Sequence, residues 1–369
     1  MKAAKTHRHR HSAGFSLVEL MVALTLSLIL MAGALSILYS TKLTSAENER
    51  LSRVQEAGRT AFELIRQDTR ASGYMGCAHP TVDTNFNPPI STFYNNLNDT
   101  SLLWNFVLPA SGFEATTAIA WVPALPAAIP AVPAPIGGND ILVLRSARPG
   151  SPVFRTNALF AIGAAIPVDR DPNVTLTTPV PVVISDCKGA TVFMATGFAG
   201  AAGTATISHS TAGTPTNLNS SLNRTFPTDS LVQPVETVIY YIASCAAVSL
   251  PNCPAITPPA LWQIVGSGAP QELVQGVEAM QLLYGVDTDF DLLANLYQKA
   301  NAVADWSKVV SVNIAVLARS IDETGVEKDK KTYPLLGGAA GNGADYGPFN
   351  DRRQRSVFTT TITLRNSTT

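Results

Sequence analysis

A run of 24 residues near the N-terminus, residues 15–38, is almost wholly apolar and contains no proline. Its one charged residue is Glu19, and no side chain from Leu20 to Leu38 is ionisable. As an α-helix, such a run is long enough to cross most of a lipid bilayer. A lone carboxylate near one end of an apolar helix is costly in lipid and is usually functional. The run therefore predicts one membrane-spanning helix in which Glu19 has a special role.

Basic residues precede this helix, because the first ten residues hold Lys2, Lys5, Arg8 and Arg10. Positive charge next to an apolar helix stays on the cytoplasmic side of the membrane. We therefore expect a single-pass protein of the bacterial inner membrane with a cytoplasmic N-terminus. Everything after Tyr39 is expected on the periplasmic side.

The charge balance argues against nucleic acid as a partner. Without the four basic residues at the N-terminus, the chain has 22 Lys and Arg against 27 Asp and Glu. Binding to phosphates needs a concentrated basic surface, which such a chain lacks. Arg352, Arg353 and Arg355 form a short basic cluster. We expect this cluster to be a solvated turn or a contact with an acidic neighbour.

Three fates of the N-terminus are compatible with this pattern. A secretory signal would be cut after the apolar run, at small residues such as Ser45 and Ala46. A plain anchor would not be cut. A cut between Gly14 and Phe15 would leave the apolar helix on the mature protein and create a free amine on Phe15, four residues from Glu19. Pairing such an amine with the carboxylate would remove an unpaired charge from an apolar setting.

The helix is predicted to continue beyond the membrane. Residues 43–71 are dominated by helix-forming residues and contain no proline. Apolar or small residues recur there at spacings of three and four, which places them on one helix face. They are Leu51, Val54, Gly58, Ala61 and Ile65. Because this half has only one apolar stripe, it must dock on another surface, and we expect Leu51, Val54 and Ile65 to be buried.

The rest of the chain is predicted to form a β-rich head. Pro and Gly number 25 each, which is typical of a fold with many turns and loops. The predicted strands are 141–145, 181–185, 191–195, 237–243, 277–286, 309–317 and 357–364. Residues 80–138 are expected to be irregular, and residues 197–223 to be an exposed loop. The predicted fold class is α+β, with one long helix and an antiparallel β-sheet head of one or two lobes.

Four cysteines allow three disulfide pairings. Disulfides are favoured in an exported protein, and a zinc site is disfavoured because the spacings contain no C-x-x-C pair. Cys77 follows the helix and Cys187 follows a predicted strand, while Cys245 and Cys253 flank a short loop that contains proline. We therefore prefer the pairs Cys77–Cys187 and Cys245–Cys253.

Asp287, Asp289 and Asp291 alternate in the way that acidic residues do at the start of a calcium-binding loop. Leu292 stands where the turn glycine is expected, and Gln298 stands where the bidentate Glu is expected. The pattern is therefore a weak calcium candidate, and a solvated acidic turn is favoured. We predict no metal site.

Motifs of catalysis are missing from the sequence. It contains no G-x-S-x-G, no H-E-x-x-H and no phosphate-binding glycine loop. A cut at Gly14 would leave only His79 and His209, so histidine general-base chemistry has few candidates. We predict that the protein is not an enzyme.

Several motifs resemble those of known pilins. Gly14-Phe15-Ser16-Leu17-Val18-Glu19 resembles the cleavage site of type IV prepilins. Later segments resemble the PilW family of minor pilins, and the resemblance spans nearly the whole chain apart from the loops at 80–138 and 197–230. The matching segments are RASGYMGC, ISDCKGATVFMATG, LVQGVEAMQLLYGVDTD, VVSVNIAVLARS and RRQRSVFTTTITLRN.

This resemblance implies the pilin fold, in which a long N-terminal helix packs on an antiparallel sheet. It implies that a prepilin peptidase cuts between Gly14 and Phe15 and methylates the new Phe15 amine. Glu19 would then register each subunit against the amine of a neighbour. The implied segments are a leader peptide at 1–14, a transmembrane and fibre-core helix at 15–40, its amphipathic continuation at 41–71 and a periplasmic head at 72–369.

The resemblance also implies a role. PilW-type subunits help to start pilus assembly in a priming or tip complex, which supports motility and adhesion. The implied partners are other minor pilins, the major pilin, the prepilin peptidase, the inner-membrane assembly platform and the bilayer, and no cofactor is implied. The final location would be the pilus on the cell surface. The alternatives are a type II secretion pseudopilin and a membrane-anchored periplasmic adhesin or enzyme.

Overall fold

A single α-helix, α1, spans Leu17–Ala71 without a break. The computed structural model describes residues 16–77, 82–83, 90–98, 101–117, 120–129, 133–201, 203–244, 258–323 and 327–366. Two short 3-10 helices lie at Ala300–Ala302 and Trp306–Lys308. The strands are β1 Val82–Asp83, β2 Ile90–Ser91, β3 Phe93–Asn95, β4 Ala110–Thr117, β5 Ala120–Val122, β6 Ile141–Ala147, β7 Phe154–Arg155, β8 Ile166–Arg170, β9 Val180–Asp186, β10 Gly189–Ala195, β11 Gly197–Ala201, β12 Gly203–Ser208, β13 Leu231–Ala243, β14 Ala260–Val265, β15 Gln271–Gln275, β16 Val277–Val286, β17 Leu296–Gln298, β18 Val309–Arg319, β19 Tyr333–Leu335, β20 Ala344–Tyr346 and β21 Arg355–Thr363.

The chain divides into two compact units, Met1–Ser52 and Arg53–Thr369. The described part of the first unit is the N-terminal portion of α1. The second unit holds the last turns of α1 and the β head. The turn after α1 begins at Ser72 and Gly73, and Gly73 has a φ of +79°, which a residue without a Cβ adopts at low cost.

Two sheets dominate the head. In the larger one, ten strands are arranged around the long strand β13, with the main order β3-β10-β9-β13-β6-β4-β5 and with β7, β14 and β15 at its side. Only the β3–β10 pair is parallel among the pairings described for this sheet. The second sheet has the antiparallel order β17-β16-β18-β21. The predicted α+β fold class is confirmed.

The main apolar core joins α1 to strands of both sheets. Ala61 and Ile65 of α1 belong to the same buried cluster as Leu142 of β6, Tyr240 of β13 and Leu282 of β16. A separate core lies beneath the three-stranded sheet β11-β12-β8. The head therefore has a region with its own apolar centre beside the one that receives the helix.

Three expectations about local structure are wrong. Residues 197–223 contain the hairpin of β11 and β12, because pairing with each other and with the distant strand β8 stabilises strands whose Gly- and Ala-rich sequence indicates a loop; Ala205 and Ile207 are buried. Residues 80–138 contain β4, which pairs with β6, because long-range pairing supplies the stability that its weak local pattern does not predict. Leu51 is 41% exposed, so the buried stripe begins one turn later, at Val54.

Candidate functional site

The first candidate region is the apolar part of α1. Every residue from Ser16 to Ser45 is exposed in the isolated chain, including large side chains such as Leu30 and Ile37. The helix is long and apolar enough to cross a membrane. Because exposed aliphatic side chains on this scale are unstable in water, this part of α1 needs lipid or packed helices around it.

Glu19 lies in the first turn of α1. Its Oε2 atom accepts a hydrogen bond from the backbone N–H of Ser16 over 3.0 Å. A carboxylate near a helix N-terminus is favoured by the unpaired N–H groups there. Gly14 and Phe15, the predicted cleavage residues, lie outside the described residues. The role of Glu19 in subunit registration therefore stays a prediction.

The last turns of α1 pack closely on the head. Val54, Gly58, Ala61 and Ile65 are buried, and Thr69 extends the stripe by one more turn. A Cβ at Gly58 would overlap the ring of Phe358 in β21, so only glycine allows this approach. The helix therefore meets β21 through Gly58, and the ring of Phe62 packs edge-on against Phe358 with 6.4 Å between the ring centres.

A polar contact fixes the same part of α1 to the larger sheet. The Tyr240 hydroxyl donates to Oδ2 of Asp68 over 2.6 Å, and Nε2 of Gln263 donates to the same oxygen over 3.3 Å and to the Tyr240 hydroxyl over 2.9 Å. Burial raises the pKa of Asp68, and the Tyr240 hydrogen bond opposes that rise. Sequence reasoning missed this anchor, because it joins residues that are distant in the chain.

A disulfide between Cys77 and Cys187 joins the segment after α1 to the turn between β9 and β10, with 4.7 Å between the two Cα atoms. This is one of the two predicted pairs. Cys245 and Cys253, the second predicted pair, lie outside the described residues. The first turn after α1 is thus covalently joined to the larger sheet.

Arg145 is a buried cation that sequence reasoning missed. Its side chain lies inside the head, and the guanidinium donates to the carbonyls of Leu102 and Leu108 and to Oγ of Ser111 over distances of 2.8 to 3.2 Å. Burial lowers the pKa of Arg145 to about 9, so the group stays charged at neutral pH. The one available signal was an Arg at the fifth position of the otherwise apolar run ILVLR.

The two sheets meet at a second buried polar group. The Asp140 carboxylate accepts from the backbone N–H of Ala115 in β4 over 3.0 Å and from that of Leu282 in β16 over 2.8 Å. Burial, reinforced by the charge of Glu114, raises the pKa of Asp140 to about 8. Glu114 is itself buried and pairs with Lys299 over 3.1 Å. Asp140 therefore joins strands of both sheets at the cost of burying a carboxyl group.

The basic cluster predicted at 352–355 is largely neutralised by the chain itself. The Arg355 side chain is fully buried and pairs with Glu278 over 2.6 Å, Asp329 over 3.0 Å and Asp351 over 2.6 Å. The Arg355 guanidinium holds the pKa of Asp351 well below its usual range. Arg353 also pairs with an acidic residue of the chain, Glu323, over 2.6 Å.

The candidate calcium residues lie together in the loop between β16 and β17. The carboxylates of Asp287, Asp289 and Asp291 come within 4.8 Å of one another. Both oxygens of Asp287, however, accept backbone N–H groups of the loop, from Phe290 and Leu292 among others. The Asp287 carboxylate is thus engaged with the loop backbone, and the weak calcium candidate stays a prediction.

A long helix with an exposed apolar end, joined to a β head by a buried stripe and a disulfide, defines a pilin-like protein. Residues 9–35 match the family model of the prokaryotic N-terminal methylation motif. Residues 239–366 match that of the type IV pilus-assembly protein W, PilW, which is consistent with a PilW-type minor pilin and confirms the predicted resemblance. No curated protein and no solved structure matches the chain.

These matches bear on the chemistry and location of the chain. Pilin-type matches point to a structural rather than a catalytic protein. The apolar helix together with the methylation motif fits a pilin anchored in the inner membrane.

Proposed function

We propose that the chain is a minor pilin that takes part in type IV pilus assembly, in a priming or tip complex, and so supports pilus-dependent motility and adhesion. The observation that carries the proposal is the exposed apolar part of α1 with Glu19 as its one charged residue before Lys42. Such a helix can reside in a bilayer and then pack against similar helices, because both settings cover its aliphatic surface.

In this proposal the chain is cut between Gly14 and Phe15 on the cytoplasmic side, the Phe15 amine is methylated, and the head lies in the periplasm. Glu19 pairs with the amine of a neighbouring subunit, which removes an unpaired carboxylate from the packed helices. The partners are other minor pilins, the major pilin, the prepilin peptidase and the inner-membrane assembly platform. The PilW match and the methylation motif support this assignment.

Deletion of the gene, followed by complementation, tests the proposal. We expect loss of surface pili in sheared fractions and loss of twitching, restored by the wild-type gene but not by Glu19→Ala or a Gly14 variant. Glu56→Ala is the matched control, because Glu56 is an exposed acid of the same helix beyond its apolar part. Normal piliation in the deletion strain would contradict the proposal.

Peptide mapping of the mature protein gives a second, independent test. The N-terminal peptide is expected to begin at Phe15 and to carry one additional methyl group. A mature chain that begins near Ser45, or that retains residues 1–14 while supporting piliation, would contradict the proposed processing. In the deletion strain, loss of protein secretion together with normal pili would instead assign the chain to type II secretion.

A further inference from the structure

The loop between β16 and β17 carries exposed apolar side chains that belong to none of the apolar cores described for the head. Phe290, Leu292 and Leu293 are 60%, 56% and 67% exposed. Single exposed apolar residues are common on protein surfaces, but three within four positions at one loop tip form a patch. Exposed apolar patches with polar residues at their rim mark interaction sites.

Two of these residues have an unfavourable backbone conformation. Phe290 has a φ of +66° and Leu292 a φ of +69°, both in the left-handed region that glycine adopts without penalty. Bulky residues in this region are conformationally costly and occur where the surrounding structure enforces them. Glycine would satisfy the turn better, so the presence of Phe290 and Leu292 at these positions favours a use for their side chains outside the fold.

The loop is also held in one conformation. Oδ1 of Asp287 accepts from the N–H groups of Asp289 and Phe290 over 3.1 and 2.7 Å, and Oδ2 accepts from that of Leu292 over 2.8 Å. At the other end of the loop, Oδ1 of Asn295 accepts from the backbone N–H of Thr288 over 2.6 Å. A loop ordered in advance loses little entropy when it docks, which favours binding.

The charges around the tip limit what it can dock against. Asp289 and Asp291 are exposed on either side of Phe290, and Nζ of Lys308 lies 4.8 Å from the centre of the Phe290 ring. Carboxylates beside the apolar tip oppose its insertion into a bilayer with anionic headgroups and repel the phosphates of nucleic acids. An apolar protein pocket with basic residues at its rim complements both the aliphatic surface and the charge.

We propose that the loop from Asp287 to Asn295 is a docking surface for a partner protein that has an apolar pocket with Lys or Arg at its rim. Phe290, Leu292 and Leu293 fill the pocket, and Asp289 and Asp291 pair with the rim. Under the proposed function this partner is another subunit of the assembly complex; that identity rests on the proposed function, whereas the docking surface itself does not.

Site-specific photocrosslinking of the full-length protein in its native host tests the proposal. A benzophenone-bearing residue replaces Phe290 or Leu293, and the crosslinked peptides are sequenced by mass spectrometry. Leu159 is the matched control position, because it is a highly exposed apolar residue of another part of the head. We expect positions 290 and 293 to capture the same peptide of a different protein, with Lys or Arg near the attachment point, and position 159 not to capture it. Crosslinks to lipid, to another copy of this chain, or to the same peptide from position 159 would overturn the proposal.

A glycine variant separates docking from folding. Phe290→Gly combined with Leu292→Gly relieves the left-handed strain, so the full-length protein in detergent is expected to melt no lower than the wild type. Crosslinking from position 293 should nevertheless fall about tenfold or more, as for the loss of central apolar residues of an interface. Leu159→Gly should leave the crosslink unchanged. A clearly lower melting temperature, or an unchanged crosslink in the double variant, would contradict the docking role.

The outcome can be distinguished from that of the proposed function. If the deletion strain keeps its pili while positions 290 and 293 still capture one basic-rimmed partner peptide, the docking surface stands and the pilus assignment fails. If pili require the protein but positions 290 and 159 capture the same peptides, or position 290 captures none, the pilus assignment stands and the docking surface fails.

Discussion

Removal of the Tyr240 hydroxyl should weaken the attachment of α1 to the head. The hydroxyl donates to Asp68 over 2.6 Å and accepts from Gln263 over 2.9 Å. A hydrogen bond to a charged group contributes about 1.5–3 kcal/mol, and the lower part of this range applies because Asp68 is only half-buried. With the lost Gln263 bond included, we expect Tyr240→Phe to lower the free energy of unfolding by about 2 kcal/mol.

The same change has a predicted pH dependence. Burial is the main cause that raises the pKa of Asp68, and the Tyr240 hydrogen bond is the main opposing one. Without it, the pKa of Asp68 should rise further, because the ionised form loses its best partner. The stability deficit of Tyr240→Phe should therefore be largest where Asp68 is ionised and should shrink as the pH falls and Asp68 becomes protonated.

Guanidinium unfolding of the full-length protein in detergent micelles, followed by tryptophan fluorescence, measures this deficit. A double-mutant cycle of Tyr240→Phe with Asp68→Asn isolates the pair, and we expect a coupling energy of about 1–2 kcal/mol. Tyr74→Phe is the matched control, because the Tyr74 ring is 42% exposed. A Tyr240→Phe variant within about 0.5 kcal/mol of the wild type, or a coupling energy near zero, would refute this account of the anchor.

Four further changes can be measured in the same way. Gly58→Leu should destabilise the head by about 2–3 kcal/mol, because the new side chain would overlap the ring of Phe358; an unchanged midpoint would contradict the close approach. Arg145→Met should lower stability by about 3 kcal/mol, because the acceptors of the guanidinium lose their donor inside the head; a neutral effect would show that water replaces it. Burial raises the pKa of Asp140 to about 8, so between about pH 4 and pH 8 the folded chain holds a proton that the unfolded chain has released. The free energy of unfolding should therefore fall as the pH rises through this range, and Asp140→Asn should show a flatter pH profile. Cys77→Ser should lower stability by about 4 kcal/mol under oxidising conditions, since the disulfide closes a loop with a sequence separation of 110, and dithiothreitol should abolish the difference from the wild type.

The parts of the molecule that could be predicted share one property, which is that a local pattern encodes them. The spacing of Val54, Ala61 and Ile65 predicted the buried face of α1, and apolar alternation predicted strands such as β18. Leu51 belongs to the same pattern and is nevertheless exposed. A pattern identifies which face of a helix can be buried, whereas the position of the head decides how far along the helix burial extends.

The polar groups of the head illustrate the opposite case. Arg145 and Asp140 have no neighbours in sequence that distinguish them from charged residues at the solvent-exposed ends of strands. Their burial depends on carbonyl and N–H groups of segments that fold against them from elsewhere in the chain. Arg355 likewise looked like part of a basic cluster, although two residues distant in sequence, Glu278 and Asp329, pair with it together with the nearby Asp351.

The amino-acid order alone was enough to establish the apolar helix with its single carboxylate, because residues 15–38 leave a bilayer or a helix bundle as the available environments. It was not enough to establish which contacts attach the C-terminal part of α1 to the head. The hydrogen bond between Asp68 and Tyr240 joins residues 172 positions apart, and the left-handed conformation of Phe290 depends on the Asp287 carboxylate that holds its loop. Long-range contacts of this kind have no periodic trace in a sequence, since their geometry exists only after the sheets have formed.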